Sequence, residues 1–197
     1  MNNKNLLVLV GPSAVGKTTV ANEIVREHPD FSFIRSLTTR PPRGDGNDAE
    51  YLYTDRAGFL REVESGGVLE YTEYDGTLYG TPRSEIERII DDSKTPLLVL
   101  DINGADSLTK KGGELSPCVI YLTEREEILK ARLEQRYLAG DVKQSARYES
   151  RMARNRWEKE HFPEFSSLFF DTVYGKSTPK ETADAVLETF ERFKKSK

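Results

Sequence analysis

Residues 4–19 read Lys4-Asn-Leu-Leu-Val-Leu-Val10-Gly11-Pro12-Ser13-Ala14-Val15-Gly16-Lys17-Thr18-Thr19, and the fold follows from them. Leu6 to Val10 is a continuous apolar run, the pattern of a strand buried on both faces, as in a parallel sheet covered by helices. Gly11 to Thr18 satisfies G-x-x-x-x-G-K-[ST], and helix-forming sequence follows from about Lys17 to Glu27. Strand, glycine-rich turn and helix together form the context in which this motif is a phosphate loop. Glycines open backbone conformations that let consecutive N–H groups point at one anion, and the helix N-terminus adds partial positive charge. Gly11, Pro12, Ser13, Ala14, Val15, Gly16, Lys17, Thr18 and Thr19 are therefore expected to hold ATP. Lys17 reaches the outer phosphates, and Thr18 offers a hydroxyl to Mg²⁺.

Working outward, strand and helix patterns alternate. Residues 31–37, 96–101 and 117–122 read as further strands. Thr123-Glu-Arg-Glu126 reads as a capping box opening a helix, and Thr178-Pro179-Lys180-Glu181 as a second one with proline at the first helical position. The expectation is an α/β fold: a phosphate-loop parallel sheet flanked by helices, spanning residues 1–197 as one domain. Asp101 ends the run Leu97 to Asp101, where a carboxylate would approach the metal; a plain strand-end cap is the alternative. Residues 38–50 form a polar loop, followed by short alternating segments at 51–53 and 68–74 and a hairpin turn at Asp75-Gly76, which together read as a small antiparallel insert.

Composition narrows the function. The chain has 197 residues, enough for one domain with a sizeable core. Its 29 Lys and Arg against 33 Asp and Glu give −4, which disfavours broad nucleic-acid or anionic-membrane binding. No apolar run approaches the roughly 18 residues of a membrane span, and the N-terminal residues do not read as a secretory signal. The lone cysteine, Cys118, cannot form an internal disulfide, which fits a reducing cytoplasm. Oligomeric state is left open between monomer and homodimer.

A second anion site is suggested by Ser36-Leu-Thr38-Thr39-Arg40-Pro-Pro-Arg43, with three hydroxyls and two guanidinium groups in eight residues. Arg40 and Arg43 flank Pro-Pro, an extended spacer that lets both converge on one dianionic phosphate. Tyr51 and Tyr79 carry hydroxyls suited to the same oxygens. A solvated basic loop is the other reading of this segment alone. A solvated helical face is likewise the other reading of the charged stretch at residues 136–161.

Taken together, GPSAVGKTT, Ser36-x-Thr38-Thr39-Arg40-x-Pro42-Arg43, Tyr51-x-Tyr53, Leu69-Glu70, Tyr79-Gly80-Thr81, Leu100-Asp101-Ile102, Arg132-Leu-Glu-x-Arg136 and Arg151-Met152 with Glu158 resemble the guanylate kinases, in order and spacing, to about residue 160. The resemblance implies a core of residues 1–35 and 96–197, a mixed α/β insert at about 36–95 for the nucleoside monophosphate, and a helical lid at about 136–158. It implies ATP-dependent phosphoryl transfer, with Mg²⁺, to the phosphate of GMP and of dGMP. Ser36, Arg40, Arg43, Tyr51 and Tyr79 would hold the acceptor phosphate. Glu70, Thr81 and Asn103, beside Asp101, would read guanine. Lys17 with Arg132, Arg136, Arg147 or Arg151 would face the transferring group.

The assignment makes chemical sense. A phosphate acceptor is already ionised, so positioning and charge neutralisation carry the catalysis. Guanine presents two adjacent donors that a carboxylate such as Glu70 accepts. The chain also departs from the family pattern. Asp101-Ile-Asn103-Gly104 stands where D-x-D-x-Q-G is usual, so a neutral amide replaces a carboxylate and weakened base discrimination is expected. Gly-Asp-Gly follows Arg43 in place of Gly-Glu. The lid carries about four extra residues between Tyr137 and Lys143, leaving Arg147 and Arg151 as alternatives, and Tyr174-Gly175 replaces an Asn near the adenine. Two other functions share part of this pattern. One is a kinase of a different phosphorylated acceptor, such as a ribose bisphosphate. The other is a non-catalytic guanylate-kinase-like binding module, which the retained Lys17, Thr18 and Asp101 disfavour.

Overall fold

The computed structural model describes residues 4–42, 51–74, 76–111, 113, 115–138 and 142–197. Strand β1 (Lys4–Val10) is the centre of a five-stranded parallel sheet. It pairs with β7 (Thr95–Val99) on one side and β8 (Leu115–Thr123) on the other. β2 (Phe31–Phe33) and β9 (Asp171–Tyr174) form the edges. The apolar run of β1 is explained by its two faces. Leu7 and Leu9 enter a core with Val20, Ala21 and Ile24 of α1 (Lys17–Glu27) and Val186 and Phe190 of α7 (Pro179–Lys195). Leu6, Val8 and Val10 enter a second core with Ile86 and Ile89 of α3 (Arg83–Asp91) and Ile102, Ala105 and Leu108 of α4 (Ile102–Lys111). Cys118 lies in the first core, where burial pushes its thiol up to about 12, an unreactive state.

The second sheet has the order β4-β3-β6-β5, from β4 (Tyr51–Tyr53), β3 (Ser36–Thr38), β6 (Thr77–Pro82) and β5 (Val68–Tyr74). It has its own small core of Leu37, Phe59, Val68 and Leu78, with Phe59 supplied by α2 (Arg56–Glu64). This sheet is mixed rather than wholly antiparallel, because β3 and β4 run parallel. Residues 31–37, read as one strand, divide between the two sheets as β2 and β3. The expected hairpin turn includes Asp75, outside the described residues; β5 and β6 pair antiparallel on either side of it, with Tyr74 opposite Thr77.

The box at Thr178 forms in full, Thr178 Oγ1 accepting from the Glu181 N–H. The one expected at Thr123 does not: Thr123 ends β8, and α5 (Glu126–Tyr137) starts after Arg125 without a side-chain cap. Sheet pairing outweighs the local capping preference there. Helix α6 (Val142–Phe165) follows, and Trp157 and Phe162 on it pack against the second core. Among the described residues no helix is long and apolar enough to cross a membrane.

Candidate active site

The phosphate loop lies between β1 and α1. Gly11 has φ +145, and a Cβ there would fall 2.2 Å from the Leu122 carbonyl oxygen, so only glycine fits. Gly16, at φ +105, is the N-cap of α1. The loop carbonyls are turned onto side chains. Lys17 Nζ donates to the carbonyls of Gly11 (2.6 Å) and Pro12 (3.1 Å). Arg132 donates to those of Ala14 (3.2 Å) and Val15 (3.3 Å). Burial pulls the Lys17 ammonium down to about 8, and Arg151 and Arg154 add to the depression, while Glu158 and Asp101 oppose it.

Two clefts meet at this loop. A cleft of about 690 Å³, called donor-side here for the ATP expected along the loop, runs from the loop past Arg132 and Arg136 to Gly175 and Lys176. A second cleft of about 560 Å³, called acceptor-side for the monophosphate expected at Arg40, runs past Arg40, Tyr51 and Tyr79 to Asp101. Ser13, Lys17, Thr18 and Arg151 line both.

Arg40 is 8% exposed, and its guanidinium lies 4.7 Å from the Tyr51 ring centre and within 3.3 Å of the Tyr53 hydroxyl. Thr38 Oγ1 donates to the Leu78 carbonyl and accepts the Arg40 N–H, which fixes the backbone beneath it. Ser36 is half-buried on β3 and lines neither cleft. Arg43 lies outside the described residues.

Glu70 is 3% exposed, and Thr81 Oγ1 donates to its Oε1 at 2.5 Å. A β-bulge between Val68 and Tyr71 breaks the alternation of β5, so Val68, Leu69 and Glu70 are all buried. Burial raises the Glu70 carboxyl to about 7, Thr81 opposing and Asp101 adding to the shift. Glu70 and Thr81 are buried and are not among the residues lining the acceptor-side cleft, while Asn103 is exposed in the first turn of α4 and lines neither cleft. Asp101 does line the acceptor cleft. Its Oδ1 accepts the Gly104 N–H at 2.8 Å, and its Oδ2 is 2.9 Å from Arg154 NH2, an ion pair without hydrogen-bond alignment.

Of the expected lid arginines, Arg151 reaches both clefts and Arg132 and Arg136 the donor side; Arg147 is exposed and lines neither. Sequence reasoning did not single out Arg154 or Asn155. Asn155 Oδ1 accepts the Ser13 N–H at 2.7 Å, and Nδ2 donates to the Ser13 carbonyl at 3.2 Å. The available signal was spacing. Arg151, Asn155 and Glu158 fall at i, i+4 and i+7 on one helical face, and Glu158 is buried there, accepting from the Tyr121 hydroxyl.

Among the described residues, no three His, Cys, Asp or Glu cluster to hold a metal. Magnesium usually takes one or two protein ligands and completes its shell with water and substrate phosphates. The exposed Thr18 hydroxyl and Asp101 at the cleft fit that arrangement.

A sequence model described as guanylate kinase matches residues 3–191. The chain belongs to the guanylate kinase family. Among curated guanylate kinases, that of Chlorobium chlorochromatii is 32% identical over 164 residues, covering 83% of this chain and 84% of its own. That of Lactobacillus delbrueckii subsp. bulgaricus is 42% identical over 135 residues (66% and 65%), and that of Thermobifida fusca 44% over 103 residues (52% and 53%). The match thus spans about half to two thirds of the latter two relatives. The crystal structure of guanylate kinase from Anaplasma phagocytophilum superposes with a TM-score of 0.69 at 24% identity, over 98% of this chain and 87% of that one, which shows a shared fold. Within this guanylate kinase family member, the two clefts and the loop between them make up the candidate site.

Proposed function

We propose that the chain transfers the γ-phosphoryl group of ATP to the phosphate of GMP or dGMP, giving ADP and GDP or dGDP. The observation that carries this reading is the meeting of two clefts at Ser13, Lys17, Thr18 and Arg151. A phosphoryl group passing from one cleft to the other crosses Lys17 and Arg151, whose charges match its own.

On this reading the donor nucleotide lies along the loop, with Arg132 and Arg136 beside it. The acceptor phosphate lies against Arg40, Tyr51 and Tyr79, and Arg43 and Ser36 are assigned to the same group by family pattern. Magnesium would be held by Thr18 and Asp101 together with the phosphates, and when bound it neutralises charge on the ATP oxygens. Lys17 leaves the Gly11 and Pro12 carbonyls for the phosphates. Residues 36–95 act as the acceptor-binding insert and residues 136–158 as the lid, whose closure excludes water from the transfer. Glu70, held by Thr81, accepts the N1–H and amino group of guanine once α4 and β5 part enough to expose it. With Asn103 exposed, base selection falls mainly on Glu70.

The test is ADP formation with MgATP and each of GMP, dGMP, IMP and AMP, followed by a coupled assay. GMP and dGMP are expected to react fastest, IMP more slowly and AMP least. If no purine monophosphate reacts while another phosphorylated acceptor does, the substrate assignment fails.

A further inference from the structure

We infer that Asn155 is a positioning residue for the phosphate loop, holding the peptide at Ser13 in the ATP-binding shape and tying the loop to the helix face that carries Arg151. The inference rests on the reading of this loop as an ATP site. Its geometry is reciprocal: the carboxamide oxygen faces the Ser13 N–H and the amide nitrogen faces the Ser13 carbonyl, 142 positions away in sequence. The two partners fix which end of the carboxamide is which, since an N–H needs an acceptor and a carbonyl needs a donor.

The loop needs such a holder. Gly11, Ala14 and Gly16 all have positive φ, and the Ala14 value of +68 is costly for a residue with a Cβ. Within the loop the one backbone hydrogen bond is long, Val15 N–H to the Pro12 carbonyl at 3.3 Å. Side chains therefore supply the restraint, through the carbonyls of residues 11 to 15. Lys17 engages the first two, Asn155 the third and Arg132 the last two. The Ser13 N–H is taken by Asn155 and the Val15 N–H by the Pro12 carbonyl, so with the carbonyls of Ser13 and Val15 engaged on one side it is the N–H groups of Ala14 and Gly16 that are turned to the other, toward an anion.

Of those three donors, Lys17 and Arg132 are cations lining the donor cleft, and a triphosphate draws them off the carbonyls. Asn155 is neutral and is not among the residues lining that cleft, so it keeps its hold on Ser13 while the others exchange partners. Arg151 sits one helical turn before Asn155 and Glu158 one turn after, and both line the acceptor-side cleft with Lys17, so the clamp also sets the spacing between the loop and this helix. A loop ordered beforehand binds its ligand without an ordering cost at that moment.

The experiment compares wild type with Asn155→Ala and the near-isosteric Asn155→Leu, measuring ATP and GMP binding by calorimetry, kcat, thermal midpoint, and hydrogen exchange at the Ser13 amide. Both variants should weaken ATP binding about tenfold, the loss of two modest hydrogen bonds. GMP binding should stay within about twofold. KM for ATP should rise more than kcat falls. The wild-type Ser13 amide should be protected and become fast-exchanging in both variants. Normal ATP binding in both variants, or a wild-type Ser13 amide exchanging at the free-peptide rate, overturns the inference. A Leu variant that restores wild-type binding also overturns it, since packing and not hydrogen bonding would then explain the Ala effect. Absence of ATP binding by the wild-type chain would instead reject the nucleotide reading on which the clamp depends.

Discussion

Lys17 and Glu70 carry opposite charges and are perturbed for the same reason, burial, in opposite directions. Burial lowers Lys17 to about 8, so in the nucleotide-free protein the ammonium is lost as pH rises through 8. Phosphates restore it. ATP binding above pH 8 should therefore take up a proton, and affinity should fall by up to about tenfold per pH unit. Calorimetry at pH 8.5 in buffers of different ionisation enthalpy checks this, and buffer-independent heats would contradict it. Between pH 8 and 10.5 the folded chain binds fewer protons at Lys17 than the unfolded chain, so this group makes folding less unfavourable as pH rises across that window. For Glu70, raised to about 7, guanine needs the carboxylate, so GMP binding should release a proton near neutrality and weaken as pH falls below 7. The acceptor phosphate titrates nearby as well, with a second pKa of about 6. Glu70→Gln is the control: it should bind GMP more weakly at pH 8 and keep only the shallower, phosphate-derived pH dependence.

Among the elements, α3 is held to the rest by a charge cluster. Arg35, just before β3, donates twice to Glu85, at 2.9 and 2.6 Å, and Arg88 donates to the same carboxylate. These contacts, Arg35 first, hold the Glu85 carboxyl down to about 2 against the opposing effect of burial. Such a group stabilises the fold above its unfolded pKa of about 4.5 and loses that contribution as pH falls toward 2. Both arginines are nearly half exposed, so the net worth is well below the full shift. Glu85→Gln should cost about 2 kcal/mol at pH 7 in urea unfolding and progressively less below pH 4. This cluster was not visible in the sequence, because Arg35 and Glu85 are fifty positions apart and nothing local pairs them. β1, α1 and α7 were legible because each signal there is local: an apolar run, a glycine-framed turn, a capping box. The start of α5 is not legible locally because β8, paired with β1 as far as Tyr121, goes on to pair with β9 through Thr123, a long-range demand. Glu70 is legible from its surroundings, but its burial depends on a bulge whose register only the second sheet reveals. Asn155 carries no motif and shows its role only when α6 lies across the loop.

At the scale of the whole molecule, an acidic chain places Lys17 and Arg151 where two clefts converge, with Arg132 and Arg136 along one and Arg40 and Arg154 along the other. The sequence left Arg147 and Arg151 as alternatives because about four extra residues precede them, which blurs the register of the lid. In the fold the two are distinguished. Both sit on α6, but Arg151 faces the loop and lines both clefts, whereas Arg147, one turn earlier, is exposed and lines neither. A charge placed between two nucleotides interacts most strongly when the phosphoryl group is between them, so removing it should lower kcat more than either binding constant. Arg151→Ala is expected to reduce kcat on the order of 10³-fold, as for arginines at transferring phosphoryl groups elsewhere, with ATP and GMP dissociation constants changed by less than about fivefold. Arg147→Ala should change kcat by less than about twofold. Steady-state rates with each nucleotide saturating, beside direct binding measurements, separate the two effects. A large loss in kcat for Arg147→Ala with Arg151→Ala near wild type would mean that α6 moves by about one turn along its axis during catalysis, bringing Arg147 to the clefts in place of Arg151. The arrangement described for α6 would then not be the one in which transfer occurs.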